Sequence, residues 1–384
     1  HSLMMSKNAS AWGTLPENFA PEYQMAMKLF CQVPICFELQ ASNRIKEPNL
    51  RALMSFIRDP PKKIPDDIKA HWDWIQCWDD DERLGEERFQ TGYMIAIYWA
   101  TVARWIMMRT KRDAIALRTP LVLVQAADVS KPTMPVAAAK KLMNVANPKD
   151  SGGMHGMLPL HVGMHVRLLD ALDKKKTLVK DAEGEIVRIE PHPDDRAKLD
   201  EAIAMRAGTV YLTKFPKGIW VRMTKYDGAP FTKLLRDQCP TLSPTDTRNL
   251  VFIEPRTSDP FVYREYTVTR TGLPISHARA ITSTACQGRT MHDGVIIDCG
   301  RQHGGSHPKE DDDWWLDMYV MLSRATKLDD LLLLRAPELE FFAKGPPKTL
   351  RTQLAKFASR TEACRKTAAK IAKELGFDGF LRED

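Results

Sequence analysis

The sequence predicts an α/β protein of two or three domains. Three observations carry this. Short apolar runs such as Val295 to Asp298 and Leu331 to Leu334 alternate with segments of helical period. Between residues 158 and 225 the pattern changes to short strands broken by turn residues. The 384 residues, 43% hydrophobic and 27% charged, suffice for more than one core.

Residues 1–24, broken by Gly13 and Pro16, read as a linker or the remnant of an upstream domain. From Pro21 the period is helical, and Val33 to Leu39 reads as a short buried strand leading toward Arg44. From Glu47, Leu50, Leu53, Met54, Phe56 and Ile57 recur on one helical face, and Asp59-Pro60-Pro61 stops the helix. A polar stretch then holds Trp72, Trp74 and Trp78, whose rings either pack or stack on bases. Tyr93 to Trp99 reads as a core strand, Thr101 to Leu117 as a basic helix, and Leu121 to Val124 as another strand. Gly, Asn and Pro residues make 139–157 a boundary loop, so 25–138 forms the first part of an α/β domain.

Residues 158–225 read as a small β domain, with strands in Leu158 to Leu169, Leu178 to Ile189 and Gly218 to Met223, turned at Asp181 and Gly184. Residues 226–265 connect it to 266–345, the second part of the α/β domain, which Tyr266 to Thr271 opens. In 346–384, Leu350, Leu354, Phe357, Cys364, Ile371 and Leu375 share one helical face among many basic residues, with Gly376 as the cap. This tail reads as a surface helix packing on the domain, with a nucleic-acid arm as the alternative.

Lys and Arg number 56 against 49 Asp and Glu, a net charge of +7, which suits a polyanionic partner. The seven cysteines lack C-x-x-C spacing and no signal-type apolar segment precedes them, which points to free thiols in a reducing compartment. An intracellular location, nuclear or cytoplasmic, is therefore expected, and the start at His1 leaves room for a targeting signal upstream. The most apolar stretch, Met94 to Met108, is interrupted by Arg104, so no membrane span is expected. No metal site is expected either: His161 and His165 fall in a strand-like segment, His155, His303 and His307 in Gly-rich loops. Asp79 to Glu82 and Asp311 to Asp313 read as solvated acidic loops.

Two segments carry chemistry. Ile281-Thr282-Ser283-Thr284-Ala285-Cys286-Gln287-Gly288-Arg289-Thr290 is a polar stretch ending in Gln-Gly, just ahead of an apolar strand. Met318-Tyr319-Val320-Met321-Leu322-Ser323-Arg324-Ala325-Thr326 puts one arginine between an apolar stretch and a leucine-rich strand. Together they resemble motifs V and VI of superfamily-one helicases of the Pif/RecD class. The strand, Arg44 and helix order is similar to motif IV. Gly163 to Val166, Leu178 to Gly184 and Phe215 to Val221 resemble, in order, three segments of that class's small barrel.

The resemblance covers roughly residues 30 to 340 and implies a second RecA-like helicase domain with a mainly parallel sheet, interrupted by a β-barrel. It implies ATP and Mg2+ as cofactors and single-stranded DNA as partner, with travel 5′ to 3′ in repair and recombination. Arg324 would offset transition-state charge across a domain boundary, and Arg44 would be a second catalytic arginine. Gln287 and Gly288 would lie toward the nucleotide, and Thr282, Thr284 and Lys217 toward the nucleic acid. Two departures matter. Thr284-Ala285-Cys286 replaces the family's His-Lys-Ser, removing a cation near phosphate. No G-x-x-x-x-G-K-[ST] loop or following Asp-Glu pair occurs, so the phosphate cradle and the Mg2+ ligands are expected in an N-terminal RecA-like domain of the same protein. The alternative is a nucleic-acid-binding remnant without ATPase activity.

Overall fold

The computed structural model describes residues 45–78, 80–206, 208–231, 248–301 and 310–374. The linker, the strand expected at Val33 to Leu39, Arg44, His303 and His307 lie outside the described residues. The chain divides into two compact units: His1–Ile97 with Ser283–Asp384, and Tyr98–Thr282.

The first unit is α/β. Four strands run side by side in the order Gln76–Cys77, Leu331–Leu334, Val295–Asp298, Tyr93–Ala96, and every pairing is parallel. Val295–Asp298 and Leu331–Leu334 are buried at every position, which is why they appear in the sequence as unbroken apolar runs. Gly92 is required at the entry to the strand Tyr93–Ala96, because a Cβ there would overlap the carbonyl of Gly294. That close approach lets the Tyr93 N–H donate to Gly294 O at 2.8 Å, aligning the starts of two neighbouring strands.

Helix Pro48–Arg58 begins with proline after the cap and buries Leu50, Leu53, Met54, Phe56 and Ile57. In the polar stretch that holds the tryptophans, Asp66–Ile75 is a helix, and its turn separates Trp72 from Trp74. Trp72 is 1% exposed, packs edge-on against Phe342 with centroids 5.3 Å apart, and donates from Nε1 to Pro337 O at 3.2 Å. Trp74 and Trp78 are exposed. Asp311, Asp312 and Asp313 form the first turn of helix Asp311–Leu322, where negative charge is favourable against the helix dipole. The expected acidic loop is thus a helix start.

The second unit is mainly antiparallel. One sheet has the order Leu250–Ile253, Gly218–Met223, Glu183–Glu190, His165–Leu168, Ile275–His277, antiparallel throughout. Its core includes Val166, Leu168, Ile186, Ile219, Val221 and Ile275. Two of its strands lie beyond the 158–225 span read from the sequence. Tyr266–Gly272 pairs with Ala127–Lys131, so the chain leaves this unit after Thr282 and not at 266. Helix Trp99–Ala116 and strand Leu121–Gln125 also belong to it. The segment expected as a loop, 139–157, begins inside helix Val136–Met143 and includes a 3-10 turn at Pro148–Ser151. No helix among the described residues is long and apolar enough to cross a membrane.

Candidate functional site

The two chemistry-bearing segments meet at one edge of the parallel sheet. Because the strands are parallel, their N-terminal ends share that edge. The loop 287–294 feeds Val295–Asp298, and residues 323–330 feed Leu331–Leu334. Between them, the short helix Ser283–Cys286 packs on helix Asp311–Leu322. Ser283 Oγ donates to Asp317 Oδ1 at 2.8 Å, with both residues buried. This bond joins the two segments beneath the loop, and a carboxylate in the middle of the apolar run Trp314 to Leu322 was its only sequence cue.

The loop itself is a tight turn. The Arg289 N–H donates to Cys286 O at 3.1 Å, and Gly288 has φ +81°, a left-handed conformation that L side chains disfavour. An added Cβ at Gly288 would meet nothing within 4 Å, so the constraint is backbone conformation and not space. Gly288 and Thr284 are exposed and Gln287 is half-buried.

Arg324 faces inward, in contrast to the phosphate-facing group expected from the sequence. It is 4% exposed. Its Nε donates to Val320 O at 2.8 Å, Nη1 to Arg289 O at 3.1 Å and Nη2 to Ser323 Oγ at 2.6 Å. The physical reason is local: the last turn of a helix leaves carbonyls unpaired, and a guanidinium two residues past Leu322 is well placed to satisfy one. In return, the Met291 N–H donates to Arg324 O at 3.0 Å. Arg324 and the Gln287–Met291 loop are therefore fastened to each other at both ends.

Glu47 supports the same edge. Its carboxylate accepts from Asn49 N at 2.9 Å, Leu50 N at 2.7 Å and Leu328 N at 3.3 Å. Burial opposes its ionisation, but the N–H groups of Leu50, Asn49 and Leu328 outweigh that and hold the carboxyl below its usual range. One side chain thus caps helix Pro48–Arg58 and anchors the segment that follows Arg324.

At the opposite edge, Asp298 ends its strand paired with Arg335, whose Nε lies 2.9 Å from Oδ1. The same oxygen accepts from Gly300 N at 3.1 Å. Burial beside Asp298 pushes the Cys299 thiol well above its ordinary range, leaving it protonated and unreactive.

Of the residues singled out in the sequence, Thr284, Gln287, Gly288 and Arg324 lie in this one neighbourhood of the first unit. Thr282 and Lys217 belong to the second unit. Thr282 is buried at the end of strand Ala280–Thr282, and Lys217 is exposed in the turn before Gly218–Met223, its N–H donating to Glu190 O at 2.8 Å. In that unit, His155 bonds Ser276 Oγ through Nε2 at 2.9 Å. Burial, with Arg167 and Arg270 nearby, lowers its pKa to about 4. No group of three or more His, Cys, Asp or Glu side chains placed to share a metal ion occurs among the described residues.

Among solved structures, this chain is similar to Pif1 helicases over most of its own length and part of theirs. Against the Bacteroides Pif1 helicase in complex with ADP-AlF3 and ssDNA, identity is 15%, coverage is 90% of this chain and 64% of the other, and the TM-score is 0.48. Against Bacteroides Pif1 bound to ssDNA the values are 16%, 83%, 55% and 0.47. Against the Candida albicans Pif1 helicase they are 16%, 81%, 58% and 0.46. The chain thus spans 55 to 64% of the length of these three. No family model matches the chain, and no curated protein does.

Proposed function

We propose that this chain is the C-terminal portion of an ATP-dependent DNA helicase that translocates on single-stranded DNA and unwinds duplex. The observation that carries the reading is the reciprocal bonding of Arg324 and the Gln287–Met291 loop at the N-terminal edge of a parallel sheet. Ligands of open parallel sheets ordinarily sit at the C-terminal ends of the strands. Here the groups gather at the other edge, so in this reading the nucleotide is held mainly by another domain. In this reading an N-terminal RecA-like domain of the same protein supplies the phosphate cradle and the Mg2+ ligands, and ATP bridges the two. One of the Bacteroides Pif1 helicases named above is in complex with ADP-AlF3 and ssDNA and another is bound to ssDNA, and this reading assigns the same two ligand classes here.

In this reading Gln287 and Gly288 face the nucleotide and the exposed Thr284 and Lys217 contact the nucleic-acid backbone, a contact the buried Thr282 cannot make as it stands. Arg44 serves as a second arginine near the phosphates. Arg324 cannot reach a phosphoryl group while it bonds Val320 and Ser323, so the reading makes it a two-position group. It braces the loop without nucleotide and exchanges those bonds for phosphate oxygens when nucleotide binds. Loop and arginine then move together, and this couples nucleotide state to Thr284.

A second reading, a nucleic-acid-binding remnant without ATPase activity, draws on Ala285 in place of the family's lysine and on the inward-facing Arg324. The decisive test measures ATP hydrolysis by the protein that includes the upstream domain, with and without single-stranded DNA, for the native sequence and Arg324→Ala. The helicase reading expects DNA-stimulated turnover that falls on the order of 10³-fold or more in the variant while nucleotide still binds. No turnover in the native protein selects the remnant.

A further inference from the structure

The positive charge of this protein is concentrated on one helix. Lys348–Glu374, 27 residues long, contains eight basic and two acidic residues, a net of +6 in a chain whose total is +7. The remainder of the chain is nearly neutral, so the polyanion affinity suggested by overall charge has one principal source.

The charge is also sided. Leu350, Leu354, Phe357 and Cys364 are half-buried and Thr361 is buried, marking the face that is covered. Lys356, Arg360, Lys366 and Lys370 are exposed on the other side. At 1.5 Å per residue the helix is about 40 Å long, comparable to many successive phosphates of a nucleic acid. Within the helix, Lys366 pairs with Glu362 at 3.4 Å and Lys370 with Glu374 at 3.9 Å, all four side chains largely exposed. Such pairs are weak in water and readily replaced by phosphate oxygens.

We infer that the exposed face of helix Lys348–Glu374 is a docking surface for a nucleic-acid phosphate backbone, bound without regard to base sequence. A membrane surface is the other polyanion that basic amphipathic helices meet, but there the apolar face must be free to enter the lipid. Here the apolar residues are the covered ones and the cations are outward. No base reading is expected, because Lys and Arg spread along a helix neutralise phosphates without defining a register on base edges. The inference rests on charge placement alone and shares with the proposed function only its class of partner.

The test is fluorescence anisotropy of the full chain with labelled single-stranded and duplex oligonucleotides of random sequence, between about 50 and 200 mM salt. The comparison is the native chain against the fourfold variant Lys356→Gln, Arg360→Gln, Lys366→Gln, Lys370→Gln. Circular dichroism confirms that the variant keeps its helix. The slope of log affinity against log salt should become shallower by about 3 for single strands and by about 4 for duplex, at roughly 0.7 and 0.9 per phosphate. The variant Arg360→Lys should restore the slope lost on Arg360→Gln. An unchanged slope in the folded fourfold variant, no binding by the native chain, or tighter binding to phosphatidylserine vesicles than to either oligonucleotide would each overturn the inference. Lack of ATP hydrolysis in the longer protein would leave this slope unaffected, so the two readings fail separately.

Discussion

Replacing Arg324 by alanine probes the junction without any nucleotide present. The substitution removes three hydrogen bonds made by a charged donor to Val320 O, Arg289 O and Ser323 Oγ, at a position only 4% exposed. Bonds from charged groups contribute about 1.5–3 kcal/mol each, but water partly replaces them in the cavity and the three are not independent, so the net loss is expected at about 2–4 kcal/mol. Arg324→Lys should recover only part of it, since one ammonium cannot span three acceptors fanned around a planar guanidinium. The assay is hydrogen exchange by mass spectrometry on the chain alone, read at 287–291, with urea unfolding as the global check. The Met291 amide bonds Arg324 O, so its protection reports the fastening directly. A change under about 0.5 kcal/mol, with protection at 287–291 unaltered, would refute the positioning role.

Trp72→Ala should cost about 3–5 kcal/mol by removing a large ring from the core, while Trp78→Ala should stay within about 0.5 kcal/mol; a urea melt of each variant separates them. His155 gives the second unit an acid sensitivity. Its folded pKa, about 4, lies below the ordinary 6.5, so the unfolded chain binds the extra proton first. The stabilisation is complete above pH 6.5 and is lost as pH falls toward 4, by up to about 3 kcal/mol. His155→Gln should flatten that part of the stability profile measured by urea unfolding, and an equally steep profile in the variant would exclude the assignment.

Much of the first unit was legible because its strands are buried on both faces. Tyr93–Ala96, Val295–Asp298 and Leu331–Leu334 needed only an apolar run bounded by polar residues. Helix Pro48–Arg58 announced itself by period and by its proline stop. Placement in space was less legible. The pairing of Tyr266–Gly272 with Ala127–Lys131 joins strands far apart in sequence, and nothing local distinguishes it from a strand of the parallel sheet. Arg270 and Asp128 carry part of the answer: the guanidinium is fully buried and bonds the carboxylate twice at 2.7 Å, a pairing visible only once register is known.

At the site, residue types were legible and orientations were not. The left-handed turn at Gly288 follows from glycine after Gln287, a local property. The inward turn of Arg324 depends on a carbonyl 35 residues upstream, and the Ser283 bond to Asp317 spans 34. The tryptophans show a finer limit. Positions two apart on a helix point to nearly opposite sides, so once Asp66–Ile75 is known to be helical, the burial of Trp72 and exposure of Trp74 follow from geometry.

Arg324 and the Gln287–Met291 loop are coupled through reciprocal bonds, and nucleotide binding should move the two together. The direct measurement is hydrogen exchange at 287–291 in a protein that carries the proposed upstream domain, with and without a non-hydrolysable ATP analogue. Protection of the Met291 amide should change on nucleotide binding, and Arg324→Ala should abolish the difference; identical exchange with and without nucleotide in the native protein would contradict the coupling.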